Sequence, residues 1–113
     1  MELDQAIEEA MNEPAAYVVS PTDGSYLYKG SARNLCERLK DHRAGRVGRT
    51  KNRRPLVLVY VEYTADYTAA RRRENFLKSG QGRVFLKRHR ESGWDTEAVL
   101  VRLRRKTGQT VPP

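Results

Sequence analysis

Two tyrosines, an arginine, a histidine and a glutamate are the side chains of this sequence best placed to do chemistry. Tyr17 closes Ala15-Ala16-Tyr17, and Tyr28 opens Tyr28-Lys29-Gly30. Arg38 and His42 follow one helical turn apart, and Glu74 sits in Arg73-Glu74-Asn75-Phe76-Leu77-Lys78-Ser79-Gly80-Gln81-Gly82-Arg83. Each has an ordinary structural use. A strand tyrosine is usually a core ring with its hydroxyl at the surface, a histidine near a helix end is favoured by the dipole, and an arginine can snorkel from a core edge. Together they are proton-accepting, anion-binding and cation-binding groups within one small chain.

The elements that would position them can be read from local pattern. Ala16 to Ser20 and Tyr26 to Gly30 are short, rich in aromatic and β-branched residues and separated by Pro21-Thr22-Asp23-Gly24-Ser25, which predicts a β-hairpin. Antiparallel pairing would bring both phenols to one face. A helix follows, with Ser31 or Asn34 as N-cap and Asn34-Leu35-Cys36-Glu37 resembling a capping box. On it Leu35, Arg38, Leu39 and His42 fall within roughly a third of the circumference, so two cations share the face that two leucines turn inward. Asp66 to Lys78 reads as another helix, capped by Thr64 or Asp66 and stopped at Ser79-Gly80, with Tyr67, Ala70, Glu74 and Leu77 on one side. A carboxylate there needs compensation by a cation such as Arg38 or by a divalent metal, or else pairs with Arg71 or Arg73 at the rim.

In these positions the sequence resembles the GIY-YIG nucleases. Ala15-Ala16-Tyr17 and Tyr28-Lys29-Gly30 stand where that family has its two signatures; alanines replace glycine and isoleucine in the first, and Lys29 replaces isoleucine in the second. The family's helical arginine falls on Arg38, its following aromatic or histidine on His42 and its metal-binding glutamate on Glu74. The resemblance covers roughly residues 15–88. It implies an α+β fold with a small three-stranded antiparallel sheet flanked by helices, and a metal-dependent DNA endonuclease.

The resemblance also implies roles. Glu74 would hold one Mg²⁺ or Mn²⁺ ion, since a lone carboxylate suits a cation that keeps most of its waters. Arg38 would clamp a non-bridging phosphate oxygen with its planar fork. Tyr17 or Tyr28 would take the proton of the attacking water, which requires acidification of the phenol by Lys29, Arg38 and the metal. His42 would orient one tyrosine or relay the proton. The alternatives are a basic nucleic-acid-binding module whose nuclease site has decayed, and a nuclease subunit of a larger assembly.

Composition supports a nucleic-acid partner independently. The 113 residues carry a formal charge of +8 and a pI near 10.0, which favours a polyanion. Six of the twelve residues from Arg43 to Arg54 are basic, with two glycines and no acid. Lys29, Arg43, Arg46, Arg49, Lys51, Arg53 and Arg54 are therefore expected to follow a phosphate backbone, the basic run as a mobile loop. The nuclease resemblance implies double-stranded or branched DNA as that partner, and the small size of the domain leaves room for a protein partner supplying targeting.

One domain is expected over residues 1–113, with the nuclease-like core over 15–88, an N-terminal helical segment over 1–14 and a C-terminal extension over 89–113. The single cysteine, Cys36, excludes an internal disulfide or a thiolate cluster within the chain. No glycine-rich nucleotide loop, zinc spacing or membrane-length apolar run is present, and a cytoplasmic location without membrane attachment is expected.

The remaining segments read as supports. Glu2 to Asn12 predicts an amphipathic helix with an acidic outer face, stopped by Pro14, and Pro55 to Thr64 a strand covered on both faces, hence central or helix-packed. Gly82 to Arg90 predicts a short helix, with His89 solvated. Trp94 to Lys106 fits either a helix capped near Thr96-Glu97 or a strand, and Thr107 to Pro113 a frayed tail.

Overall fold

The computed structural model describes residues 1–104, apart from the side chains of Ser92 and Gly93. The expected tail from Thr107 to Pro113 lies outside the described residues. The order is α1 (Leu3–Glu9), β1 (Ala15–Pro21), β2 (Tyr28–Ala32), α2 (Leu35–Arg43), a 3-10 turn (Lys51–Arg53), β3 (Leu56–Tyr63), α3 (Tyr67–Lys78), α4 (Gly80–Gly93) and α5 (Thr96–Leu103). This is the expected α+β architecture, a three-stranded antiparallel sheet with helices on both faces.

The strand order is β2-β1-β3, so the central strand is β1. The apolar run of β3 fits the helix-packed alternative rather than the central one. Leu58, Val61 and Tyr63 join the cluster formed with α1, α2 and α5, whereas Val59 and Tyr60 join the cluster formed with α3 and α4. Alternation makes this division, and a bulge shifts its phase: Val18 pairs with Tyr60 and Val19 with Leu58, leaving Val59 as the extra residue, so that the adjacent Val59 and Tyr60 share one face. The outer edge of β3 is partly covered by a bridge between Glu2 and Val57.

Ala15 and Ala16 are fully buried in the central strand, one in each cluster. The departures from the first signature are thus core substitutions, and neither alanine belongs to the polar group around Tyr17.

Caps explain the helix boundaries. The Asn34 side chain accepts from Glu37 N–H and starts α2, while Ser31 stays in β2. Asp66 accepts from Ala69 N–H at the start of α3. Ser79 ends α3 and its side chain also accepts from Gly82 N–H, so α4 begins at Gly80, earlier than the pattern predicts, and runs on to Gly93. A Cβ at Gly82 would lie 1.9 Å from the Phe76 carbonyl oxygen and 2.6 Å from Leu77 Cα, so only glycine allows α4 to leave α3 this closely. Within the ambiguous segment, Thr96–Leu103 is helical, its start capped by the Asp95 carboxylate, which accepts from Ala98 N–H; the last two residues of the segment lie outside the described residues. His89 is half-buried, its ring 4.5 Å from that of Phe85 and 5.3 Å from that of Tyr60, instead of solvated.

Candidate active site at the β2 edge

The register of the hairpin sets the site. Tyr17 lies opposite Gly30, and Tyr28 lies opposite Val19, so the two tyrosines are diagonal neighbours on one face with ring centroids 6.2 Å apart. Gly30 is required between them. A Cβ there would sit 2.6 Å from both Cζ and Oη of Tyr17 and 2.8 Å from Tyr28 Cε1. The glycine closing the second signature is therefore a space for two phenol rings.

Helix α2 lays Leu35, Leu39 and His42 against this face, all fully buried, with Arg38 between them at the rim. Four of the five expected residues meet here. Arg38 Nε–H donates to Tyr17 Oη at 3.3 Å, and Tyr17 Oη lies 2.7 Å from His42 Nε2. The His42 ring meets Tyr17 and Tyr28 edge-on, with centroids at 5.4 and 5.0 Å. Burial works against the Arg38 charge, but contacts with both tyrosine hydroxyls outweigh it and raise its pKa.

Beneath this group is a residue the sequence pattern did not single out. Thr50 is fully buried, and its Oγ1 lies 2.9 Å from His42 Nδ1. With Val47, also buried, it pins the segment after α2 to the core. Arg54 braces the same segment through the carbonyls of Arg43 and Lys51. The basic run is thus an anchored turn, where a mobile loop was expected. The signal available in the sequence was weak: Thr50 and Val47 are β-branched residues among charges.

Glu74 approaches from the other side of the strand. Ser31 follows Gly30 in β2 and so points to the face opposite Tyr28; its hydroxyl donates to Glu74 Oε1 at 2.6 Å, and Lys78 Nζ donates to Oε2. None of the expected partners, Arg38, Arg71 or Arg73, makes this ion pair. Lys78, one turn along the helix, takes it, because α3 packs across the sheet from α2, and Arg73 is engaged with Glu62 at 2.7 Å. Burial raises the Glu74 pKa, yet the hydrogen bonds from Lys78 and Ser31, with the charges of Lys78 and Arg71, hold it below the usual carboxylate range.

Burial pushes the Tyr17 phenol above its usual range, Tyr28 and Glu74 add to this, and Arg38 only partly opposes it. Of the groups expected to acidify Tyr17, Arg38 acts in that direction and is outweighed by burial. Burial and the charge of Arg38 lower His42 to about 4, so its buried imidazole is neutral at physiological pH.

The expected phosphate ligands divide. Arg43 pairs with Asp4 at 2.8 Å, Arg46 with Asp41 at 2.9 Å, and Arg54 is turned back onto backbone carbonyls. Arg53 stacks over the Tyr26 ring at 4.0 Å, and Arg49 and Lys51 are exposed. Arg49 lines two open grooves that share Tyr26. One, of about 530 Å³, is completed by Gly48, Asn52 and Arg53; the other, of about 470 Å³, by Leu27, Tyr28, Lys29 and Lys78. Lys29, with Lys78 and Arg83 as cationic neighbours, has its pKa lowered by burial and by their charges.

Among the described residues no group of three or more His, Cys, Asp or Glu side chains could hold a metal. Glu74 nonetheless fits a hydrated divalent ion. Its carboxylate is ionised, and its Oε2 partner is an exposed lysine whose side chain can swing away. No described helix is long and apolar enough to cross a membrane.

Comparisons with known proteins agree with this arrangement. Residues 14–90 match the family described as the GIY-YIG catalytic domain. A UPF0213 protein of Staphylococcus haemolyticus is 42% identical over 64 residues, covering 56% of this chain and 77% of the relative. A UPF0213 protein of Bacillus cereus is 38% identical over 68 residues, covering 59% and 70%. A third, from Desulfotalea psychrophila, is 38% identical over 64 residues, covering 55% and 57%. No solved structure matches. With the signature tyrosines packed about Gly30 and a family match across most of its length, this chain belongs to the GIY-YIG family of nucleases.

Proposed function

We propose that this protein is a single-metal DNA endonuclease and that Tyr28, not Tyr17, is the phenol that meets the attacking water. The observation that carries this reading is the placement of the Arg38 guanidinium between a buried Tyr17 and a half-buried Tyr28 that lines a cationic groove. Tyr17 is fully enclosed and engaged by Arg38 and His42, so it holds the arginine. Tyr28 is open to a strand entering past Tyr26 and Arg49.

Phosphodiester hydrolysis needs positive charge where negative charge grows and a group to accept the proton of water. Arg38 supplies a fork for a non-bridging oxygen, and Lys29 and Lys78 lie along the same groove. Tyr28 orients the water and accepts its proton. Glu74 would hold the ion, Mg²⁺ or Mn²⁺, which when bound supplies Lewis-acid stabilisation of the phosphate and of the leaving 3′ oxygen. Double-stranded or branched DNA in a repair or recombination setting is the substrate of this reading, with a protein partner for targeting, and the cytoplasm its location.

The test is incubation with supercoiled plasmid and a branched duplex, with Mg²⁺ or with chelator. Cleavage should require the metal and disappear in Glu74→Gln and Arg38→Ala, while salt-sensitive DNA binding persists. Binding without cleavage by the unaltered protein under any metal condition would instead favour a binding module.

A further inference from the structure

We propose that Thr50 is a positioning residue that accepts the Nδ1 proton of His42 and so holds the ring where its Nε2 accepts from the Tyr17 hydroxyl, which in turn holds Arg38 at the mouth of the site. The proposal rests on the nuclease reading above and extends it to a residue outside the signature side chains.

Four groups lie in line: Arg38 Nε, Tyr17 Oη, His42 Nε2 with Nδ1 on the far side of the ring, and Thr50 Oγ1. The Tyr17, His42 and Thr50 side chains are fully buried, so each proton among them needs a protein acceptor. A neutral imidazole has one N–H, which leaves two arrangements.

In the first, Nδ1–H donates to Thr50 Oγ1, the Thr50 hydroxyl donates to the Val47 carbonyl 3.4 Å away, and Tyr17 O–H donates to Nε2. The Tyr17 oxygen then has lone pairs free for Arg38 Nε–H. Every proton has an acceptor. In the second, Thr50 O–H donates to Nδ1, and Nε2–H donates to the Tyr17 oxygen. Tyr17 would then accept from both His42 and Arg38, while its own proton has no acceptor among the described residues. An orphaned buried hydroxyl proton is unfavourable, so the first arrangement holds.

The Tyr17 proton makes the choice, and Thr50 allows it without an unpaired group. Thr50 accepts from Nδ1, and Val47 gives its hydroxyl proton a destination that is not the imidazole. Without the Thr50 oxygen, Nδ1–H is orphaned in the core; moving that proton to Nε2 would orphan the Tyr17 proton and leave Nδ1 unpaired as well, so the ring keeps its tautomer and loses its fixed placement instead. The Tyr17 hydroxyl then loses a fixed acceptor, and the guanidinium its anchor. A misplaced clamp costs catalysis more than binding, since it acts where charge develops.

The experiment uses the full chain labelled with ¹⁵N at histidine, together with Thr50→Val and Thr50→Ser. In the unaltered protein the ring ¹⁵N shifts of His42 should show a protonated Nδ1 and an unprotonated Nε2. Thr50→Ser should keep this pattern and the cleavage rate. Thr50→Val should keep the proton on Nδ1 but shift its resonance and speed its exchange as its acceptor is lost, and lower kcat about tenfold to a hundredfold with KM little changed. A protonated Nε2 in the unaltered protein overturns the proposal whether or not any variant folds. So does a Thr50→Val protein whose Nδ1–H resonance and exchange rate are unchanged, or one in which they change without loss of kcat. The spectra need no cleavage, so absence of activity in the unaltered protein would count against the nuclease reading and leave the tautomer assignment to be decided by the shifts.

Discussion

Lowering the pH should destabilise this protein through one buried ring. His42 has a folded-state pKa near 4 against about 6.5 in an unfolded chain. The unfolded state therefore binds the proton more readily, and stability must rise with pH across that interval. The His42 contribution is complete above the unfolded value, is lost as pH falls from there toward 4, and loses nothing further below. A displacement of about 2.5 units corresponds to about 3 kcal/mol in full, of which about 2 kcal/mol is already gone at about pH 5. In a chain of this size that lowers Tm by roughly 8 °C. His89 is shifted in the same direction by burial and by Arg102 and Arg73, so the protein alone does not isolate the effect. The assay is urea unfolding at about pH 7 and about pH 5 on the unaltered chain, His42→Gln and His89→Gln. His42→Gln should be weaker at neutral pH but lose about 2 kcal/mol less than the unaltered chain on acidification. Equal pH dependence in these two proteins would refute the placement of a neutral histidine between Tyr17 and Thr50.

Other outcomes follow from the same geometry. Gly30→Ala forces a methyl against both phenols and should cost about 1–3 kcal/mol by thermal unfolding, with cleavage lost even where the fold survives. Tyr28→Phe should abolish most cleavage and leave stability nearly unchanged, whereas Tyr17→Phe strands the Arg38 and His42 partners in the core and should lower both, as read by kcat and Tm. Arg49→Ala should reduce the slope of log affinity against log salt by about 1; Arg46→Ala, already neutralised by Asp41, should change it less. Glu74→Gln should leave DNA binding intact and remove metal-dependent cleavage, measured by gel shift and plasmid nicking.

Much of this protein was legible locally. Short-range chemistry decided the hairpin, the Asn34 and Asp66 caps, the inward face of α2 and the Glu74 face of α3, because each depends on residues within a few positions and on the periods of strand and helix. That the two phenols share a face follows from the period of two once the register is given, but the register itself, with Val19 opposite Tyr28 across a long connection, was not set by a tight turn. Long-range packing decided the rest. Which strand is central depends on whether β3 returns beside β1 or β2, and the bulge at Val59, which places the adjacent Val59 and Tyr60 on one face, is specified by no local pattern. Glu74 took Lys78 and Ser31 as partners because α3 crosses the sheet from α2, and Arg43 and Arg46 were claimed by Asp4 and Asp41 from outside their own basic run. Thr50 acquires its place only when the segment after α2 folds beneath His42: a hydroxyl becomes specific once it is buried opposite a ring nitrogen, and burial is a property of the assembled fold.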